Sequence, residues 1–394
     1  MTTTAPIAIA DPRVFRGVDA APAEAANLYR LAEASLGAQT APAADAADRA
    51  LRAALEARLG SDGAFLAALV GEAPSVAVAR HVWRLLEALC RPAAAPEGAL
   101  AVTVFAIPLV VVAGVEGATT TETLPAILPD AGALGAILAA HGALGGNRSF
   151  GLANALVAAD AIDIARLPEA RAWQRLPAPP VDLQAAGAGR VPPALAPAPI
   201  PVAAGREGVS LRFVVGTALA RADADLLADA SVGKWGIPFT QELGRQLGGG
   251  RVPVLALPRA PQRLLPAVQQ GRAAQREVSA QLFVGNALRR LRASVGEPAA
   301  VISAHRAPDA PGGGELRLSL SSPFEPRDAE GFRCPLHPLD RAGDVAAMLA
   351  QLLGDCRVAD VRVLAGVHPD RDPGTGLRLL FKPGTLPAAA VLVH

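Results

Sequence analysis

Three cysteines in 394 residues are too few for a disulfide framework. Cys90, Cys334 and Cys356 fall in helix- or loop-like contexts that suit reduced thiols, so the expected compartment is the cytoplasm. Lysine is scarcer still, with Lys234 and Lys382 the only two. Arginine therefore carries the basic charge, and with the abundant Ala, Gly and Pro it marks a GC-rich, bacterial-like coding bias rather than arginine-specific chemistry. Aromatic residues make up 4% of the chain against 51% hydrophobic residues, so helices are expected to pack closely on small side chains. No sign of charge predominates: the net charge is +1 with acids and bases mixed, which excludes the footprint of a nucleic-acid binder. The longest membrane-like run, Leu100–Val115, falls short of the ~20 residues of a spanning helix and holds Pro108 at its middle. Its Val, Ile and Thr content predicts a buried strand that turns at the proline, and no membrane span. The opening MTTTAPIAIADPRVF lacks the basic and apolar blocks of a signal peptide.

What is present reads as an α+β protein. Residues 1–97 form a helical N-terminal region. Leu28, Leu31 and Leu36 mark one helix, and Leu51, Leu55 and Leu59 a second ending at Gly60. A third, capped by Ser75, presents Val78, Val82, Leu85, Leu86 and Leu89 at helical spacing. Residues 98–175 form a first strand-plus-helix unit, and 176–206 a Pro/Ala-rich linker or arm whose prolines argue against a long helix or interior strand. Residues 207–394 hold a second strand-plus-helix unit and an α+β C-terminal region. AVTVFAIP at 101–108 matches RVPVLALP at 251–258. Each is followed by Leu-Pro-Ala plus an aliphatic residue (Leu124 and Leu265) and by Asn-Ala-Leu (Asn154 and Asn286), so the two units read as a duplication. Near the C-terminal end, two antiparallel hairpins are expected: Ala300–Ala304 with Leu316–Leu320, and Val361–Leu364 with Leu377–Phe381. A helix over Asp344–Leu353 lies between them. Alternating arginine and aliphatic residues predict sheets wet on one face.

Candidate chemistry is sparse. Cys334, His337, Cys356 and His368 offer zinc-type donors, but only the first two are closely spaced, whereas tight ligand pairs are what a structural zinc site uses; the expectation is no metal and no cofactor. The run Asn147 to Gly151 around Ser149 approaches a nucleophile elbow but has Asn in place of its first glycine, so Ser149 is expected to cap a helix. Lys234 closes a stretch resembling a phosphate loop that lacks the first glycine and the Ser/Thr after the lysine. Gly233 to Gly236 is expected to be loop. Asp223, Asp225 and Asp229 read as a solvated face, Asp370 and Asp372 as a turn, and His81 as a half-buried packing histidine.

These patterns point to a cytoplasmic, non-catalytic scaffold or assembly protein that binds a protein partner or itself. The alternative is a hydrolase or transferase with a site between the two units, using Ser149, Lys234 or His337.

Overall fold

A computed structural model describes residues 7–91, 100–115, 122–145, 147, 149–174, 192, 195–204, 208–221, 226–227, 232–248, 254–294, 297–309, 311–322, 329–382 and 390–393. The helices are α1 (Ala23–Leu36), α2 (Ala41–Arg58), α3 (Gly63–Gly71), α4 (Val76–Leu89), α5 (Ala131–Ala140), α6 (Leu167–Gln174), α7 (Val232–Gly248), α8 (Leu264–Ser294) and α9 (Ala342–Asp355). The strands are β1 (Leu100–Val115), β2 (Glu122–Leu124), β3 (Phe150–Val157), β4 (Ile200–Ala204), β5 (Gly208–Arg221), β6 (Val254–Pro258), β7 (Ala299–Arg306), β8 (Gly314–Ser321), β9 (Ala329–Pro335), β10 (Val361–His368) and β11 (Ala390–Val393). Helices and mixed sheets make the fold α+β. Among the described residues no helix is long and apolar enough to cross a membrane.

The chain divides into two compact units built from interleaved stretches: a central unit of 52–67 and 85–275, and a terminal unit of 1–51, 68–84 and 276–394.

The central unit is organised by one long ribbon. β1 and β5 pair antiparallel from Leu100 opposite Arg221 to Ala113 opposite Gly208, a length that β-branched runs on both strands favour. β3 continues the sheet beyond β5, while β6 and β4 share the other edge of β1. Pro108 does not turn the strand as expected. Ala106 exchanges both backbone bonds with Gln262, and the Pro108 carbonyl accepts from Arg259 N, so the missing N–H faces away from β5. It falls where one neighbouring segment hands over to the next, and costs no bond of the main ribbon. One face of the sheet packs on Trp235, Phe239, Leu243 and Leu247, spaced along a single stripe of α7. The other face packs on α6 and the start of α8.

Within 1–97 the described residues form α1 to α4 after a non-helical stretch at 7–17, and Val78 N donates to Ser75 Oγ at 3.2 Å, the cap expected for α4. Three other expectations change. Ala153 to Leu156 lies in strand β3, whereas Gly285 to Leu288 lies in helix α8; Leu124 ends a strand and Leu265 starts a helix. The elements following the two matched segments differ, so the likeness reflects a shared apolar alphabet and not a duplicated unit. Gly233 to Gly236 belongs to α7, whose buried Trp235 and Phe239 override the local breaking tendency of glycine. Of 176–206, the described stretch 200–204 is strand β4, with neighbours on two sides. Pro201 is tolerated because Ile200 to Val202 pair only with β2, and Ala203 and Ala204 only with β1.

In the terminal unit the sheet order is β11-β10-β7-β8-β9. β7 and β8 form the first expected hairpin in the expected register, Ala300 opposite Leu320 and Ala304 opposite Leu316. The second hairpin does not form. β10 pairs parallel with β7 and antiparallel with β11, while 369–382 folds back on itself through an Arg371–Arg378 bridge. Asp372 closes that return by accepting the amides of Gly374 and Thr375, so the turn reading of this loop holds. Leu316, Leu318 and Leu320 face α9 and the latter part of α8. The opposite face is not wet: Glu315, Arg317, Ser319 and Ser321 on β8 are all buried.

The tightest test of this packing lies in the central unit. Gly216 sits opposite Phe105, and a Cβ there would stand 2.2 Å from the ring. Gly216→Ala is expected to cost about 2–4 kcal/mol of unfolding free energy by chemical denaturation. Adding Phe105→Leu is expected to restore part of that loss, giving a non-zero coupling in the double-mutant cycle.

Candidate functional site

The residues singled out from sequence do not converge. Ser149 precedes β3 and caps no helix. Its N–H donates to Asn147 Oδ1 at 2.6 Å, its carbonyl accepts from Leu219 at 2.8 Å, and Asn147 Nδ2 donates to the Leu219 carbonyl at 2.9 Å. These bonds dock the start of β3 on β5, which is why a strand follows. Lys234 is exposed in the first turn of α7. His337 shapes a turn: its N–H donates to Asp340 Oδ2 at 2.8 Å, and Asp340 in turn takes both terminal nitrogens of Arg276. Cys334 is in the apolar core, where burial pushes its thiol up to about 12, so it stays protonated. Cys356 ends α9, and its carbonyl accepts from Arg292 Nη2 at 3.1 Å. His368 packs on Phe381, ring centres 4.5 Å apart. Among the described residues no three His, Cys, Asp or Glu are grouped to hold a metal ion. Asp223, Asp225 and Asp229 lie outside the described residues. His81 is more buried than expected, at 4% exposure, with Nε2 donating to Asp48 Oδ1 at 2.8 Å. The donor is fixed because Arg84 Nη2 occupies Nδ1 at 3.0 Å.

What the fold does assemble is a polar cluster on the second face of the terminal sheet. Arg317, 1% exposed, donates Nε to Glu315 Oε1 at 2.6 Å and Nη1 to the carbonyls of Asp370 and Leu379 at 2.6 and 2.8 Å. Its Nη2 donates to the Asp370 carboxylate. Glu315, fully buried, also takes Arg333 at 2.7 Å, and Asp309 takes Arg333 at 3.6 Å and Arg378 at 2.9 Å. Glu315, Asp309 and Asp370 thus pair with Arg317, Arg333 and Arg378, and Asp370 also meets Arg371 at 3.5 Å. Against the upward push of burial, the Arg317 bond and charge hold Asp370 below the ordinary carboxylate range.

Beside these charges Ser303 Oγ lies 2.8 Å from His305 Nε2, and His305 Nδ1 lies 2.9 Å from the Pro369 carbonyl. A carbonyl only accepts, so Nδ1 carries the proton and Nε2 accepts from the serine, the tautomer of a nucleophile–base pair. Ser303 is 2% exposed and His305 fully buried, with Phe381 tilted against the imidazole at 5.9 Å. Burial, with Arg317 and His368 nearby, pushes His305 down to about 4, outweighing the Pro369 bond. Alternate residues of one strand share a face, so Ser303-x-His305 was visible as spacing. Nothing local showed that Pro369 would meet the ring.

The terminal unit also holds a cleft of about 230 Å³. One wall is the 11–16 strap, pinned by Arg13, which forks onto Asp11 and donates to the carbonyls of His337 and Asp340 at 2.7 and 2.6 Å. The other wall is the end of α3 and the turn to α4, with Val70, Glu72, Ala73 and Ala79. Compared with protein-family models, curated proteins and solved structures, the chain matches none of them.

His305 and Asp370 both have depressed values in the folded state, so each stabilises the fold above its unfolded value and loses that contribution as pH falls. For His305 the window runs from 6.5 down to about 4 and is worth on the order of 3 kcal/mol. The thermal midpoint is expected to fall across that range, and His305→Gln to flatten the slope there. Arg317→Met is expected to cost about 3–5 kcal/mol, because Glu315 stays buried without its closest partner.

Proposed function

We propose that this chain is a non-catalytic interaction or assembly protein of the cytoplasm, acting by binding a protein partner or a second copy of itself. The observation that supports it most directly is the sealing of the Ser303–His305 pair: a hydroxyl at 2% exposure meets no substrate, and its bonds serve to hold the 369–382 return on the sheet. Ser149 serves strand docking and His337 a turn, each a structural use of a residue type that otherwise suggests chemistry.

A hydrolase is the second reading, and the 2.8 Å Ser303–His305 contact with its correct tautomer is what favours it. It requires the 369–382 return to open. Light scattering across a dilution series, combined with labelling by a fluorophosphonate, separates the two. Assembly predicts a mass above one chain that falls on dilution, through an interface of more than about 1,000 Å², and an unlabelled Ser303. A chain that stays monomeric and takes the label stoichiometrically at Ser303 supports the hydrolase.

A further inference from the structure

We propose that the cleft under the 11–16 strap binds a small zwitterion of α-amino-acid size carrying an apolar side chain. This goes beyond the assembly reading and does not depend on it. The volume, about 230 Å³, lies below the ~300–1,000 Å³ of drug-sized sites, so the occupant is small.

The charges at the mouth set its polarity. Arg13 is not available to a ligand, since Asp11 and two carbonyls use its guanidinium. Arg16 is exposed, and among the described residues no side-chain hydrogen bond or ion pair takes it; the same holds for the carboxylate of Glu72, which also lines the cleft and whose charge reaches Tyr29. Glu72 stands just past the C-terminal end of α3, where the helix dipole is negative. Four residues beyond Val70 the chain has Pro74, which has no N–H to return to the Val70 carbonyl. One wall therefore attracts an ammonium, through Glu72 and the Val70 carbonyl. The other attracts a carboxylate, through Arg16.

Val70, Ala73, Ala79 and Phe15 supply the apolar part of the lining, with Phe15 at 36% exposure and held by Arg13 5.3 Å from its ring centre. An anion alone would leave Glu72 facing it, and a cation alone would leave Arg16. A molecule bearing both charges around an aliphatic body answers every feature at once.

The test is isothermal titration of the full chain with three probes: L-leucine, 4-methylpentanoate, which lacks the ammonium, and isoamylamine, which lacks the carboxylate. Leucine is expected to bind saturably at millimolar concentration or below, with each single-charge probe about tenfold weaker or more. Arg16→Ala is expected to weaken leucine about tenfold and leave isoamylamine unchanged. Glu72→Gln is expected to weaken leucine and leave 4-methylpentanoate unchanged. Gly71→Trp plugs the cleft from a position where an added Cβ meets nothing within 4 Å, and is expected to abolish all binding. Absence of saturation up to about 10 mM, or leucine binding unaltered in all three variants, overturns the proposal.

Discussion

The terminal unit depends on one buried guanidinium. Arg317 stands on a strand whose alternate residues already fill an apolar core, so its own face of the sheet carries charge and hydroxyls into the interior. Taking a single charge out of water costs several kcal/mol, and that cost is offset here by four hydrogen bonds, two of them to carboxylates. Four acceptors converge on Arg317, and around it Arg333, Arg371 and Arg378 pair with Glu315, Asp309 and Asp370. The 369–382 return contributes two carbonyls and a carboxylate to Arg317 and a carbonyl to His305. It thereby becomes the second cover of a sheet that would otherwise be half exposed.

The central unit solves the opposite problem, with apolar residues on both faces of its sheet. A chain with 4% aromatic residues concentrates several of them here. Phe105 meets Phe150 edge-on at 6.4 Å, and Trp235 meets Phe239 edge-on at 5.3 Å. Gly216 makes the space for Phe105, so a residue with no side chain fixes the position of one of the largest. Elsewhere the close packing expected of small side chains is met by Ala and Leu.

These arrangements hold several polar side chains in contacts within the fold. The arginines of α8 illustrate this. Arg272 pairs with Asp163 and Arg276 with Asp340 in part-buried contacts, while Arg290 pairs with Glu330 and Arg292 with Glu297 nearer the surface. The same holds for Ser303 and His305, where a geometry associated with acyl transfer is stabilised by the burial that removes it from solvent.

Local signals in the sequence were sufficient for several local features. The Ser75 cap, the helical stripe of Val78, Val82 and Leu86, the helix within α9, the β7–β8 register and the Asp372 turn each involve residues close enough along the chain for spacing to determine them. The α+β class followed from the same periodicities. Tertiary structure decided the rest: that β10 takes β7 and β11 in place of 377–381, that Gly233 to Gly236 stays helical under Trp235, and that the units interleave along the chain. It alone built the polar cluster, since Arg317 and Asp370 are 53 residues apart and His305 and Pro369 are 64 apart. Whether a charged residue on a strand points to water or to a buried partner leaves no trace in its neighbours. The face it occupies is set by period 2, but what covers that face arrives from elsewhere in the chain.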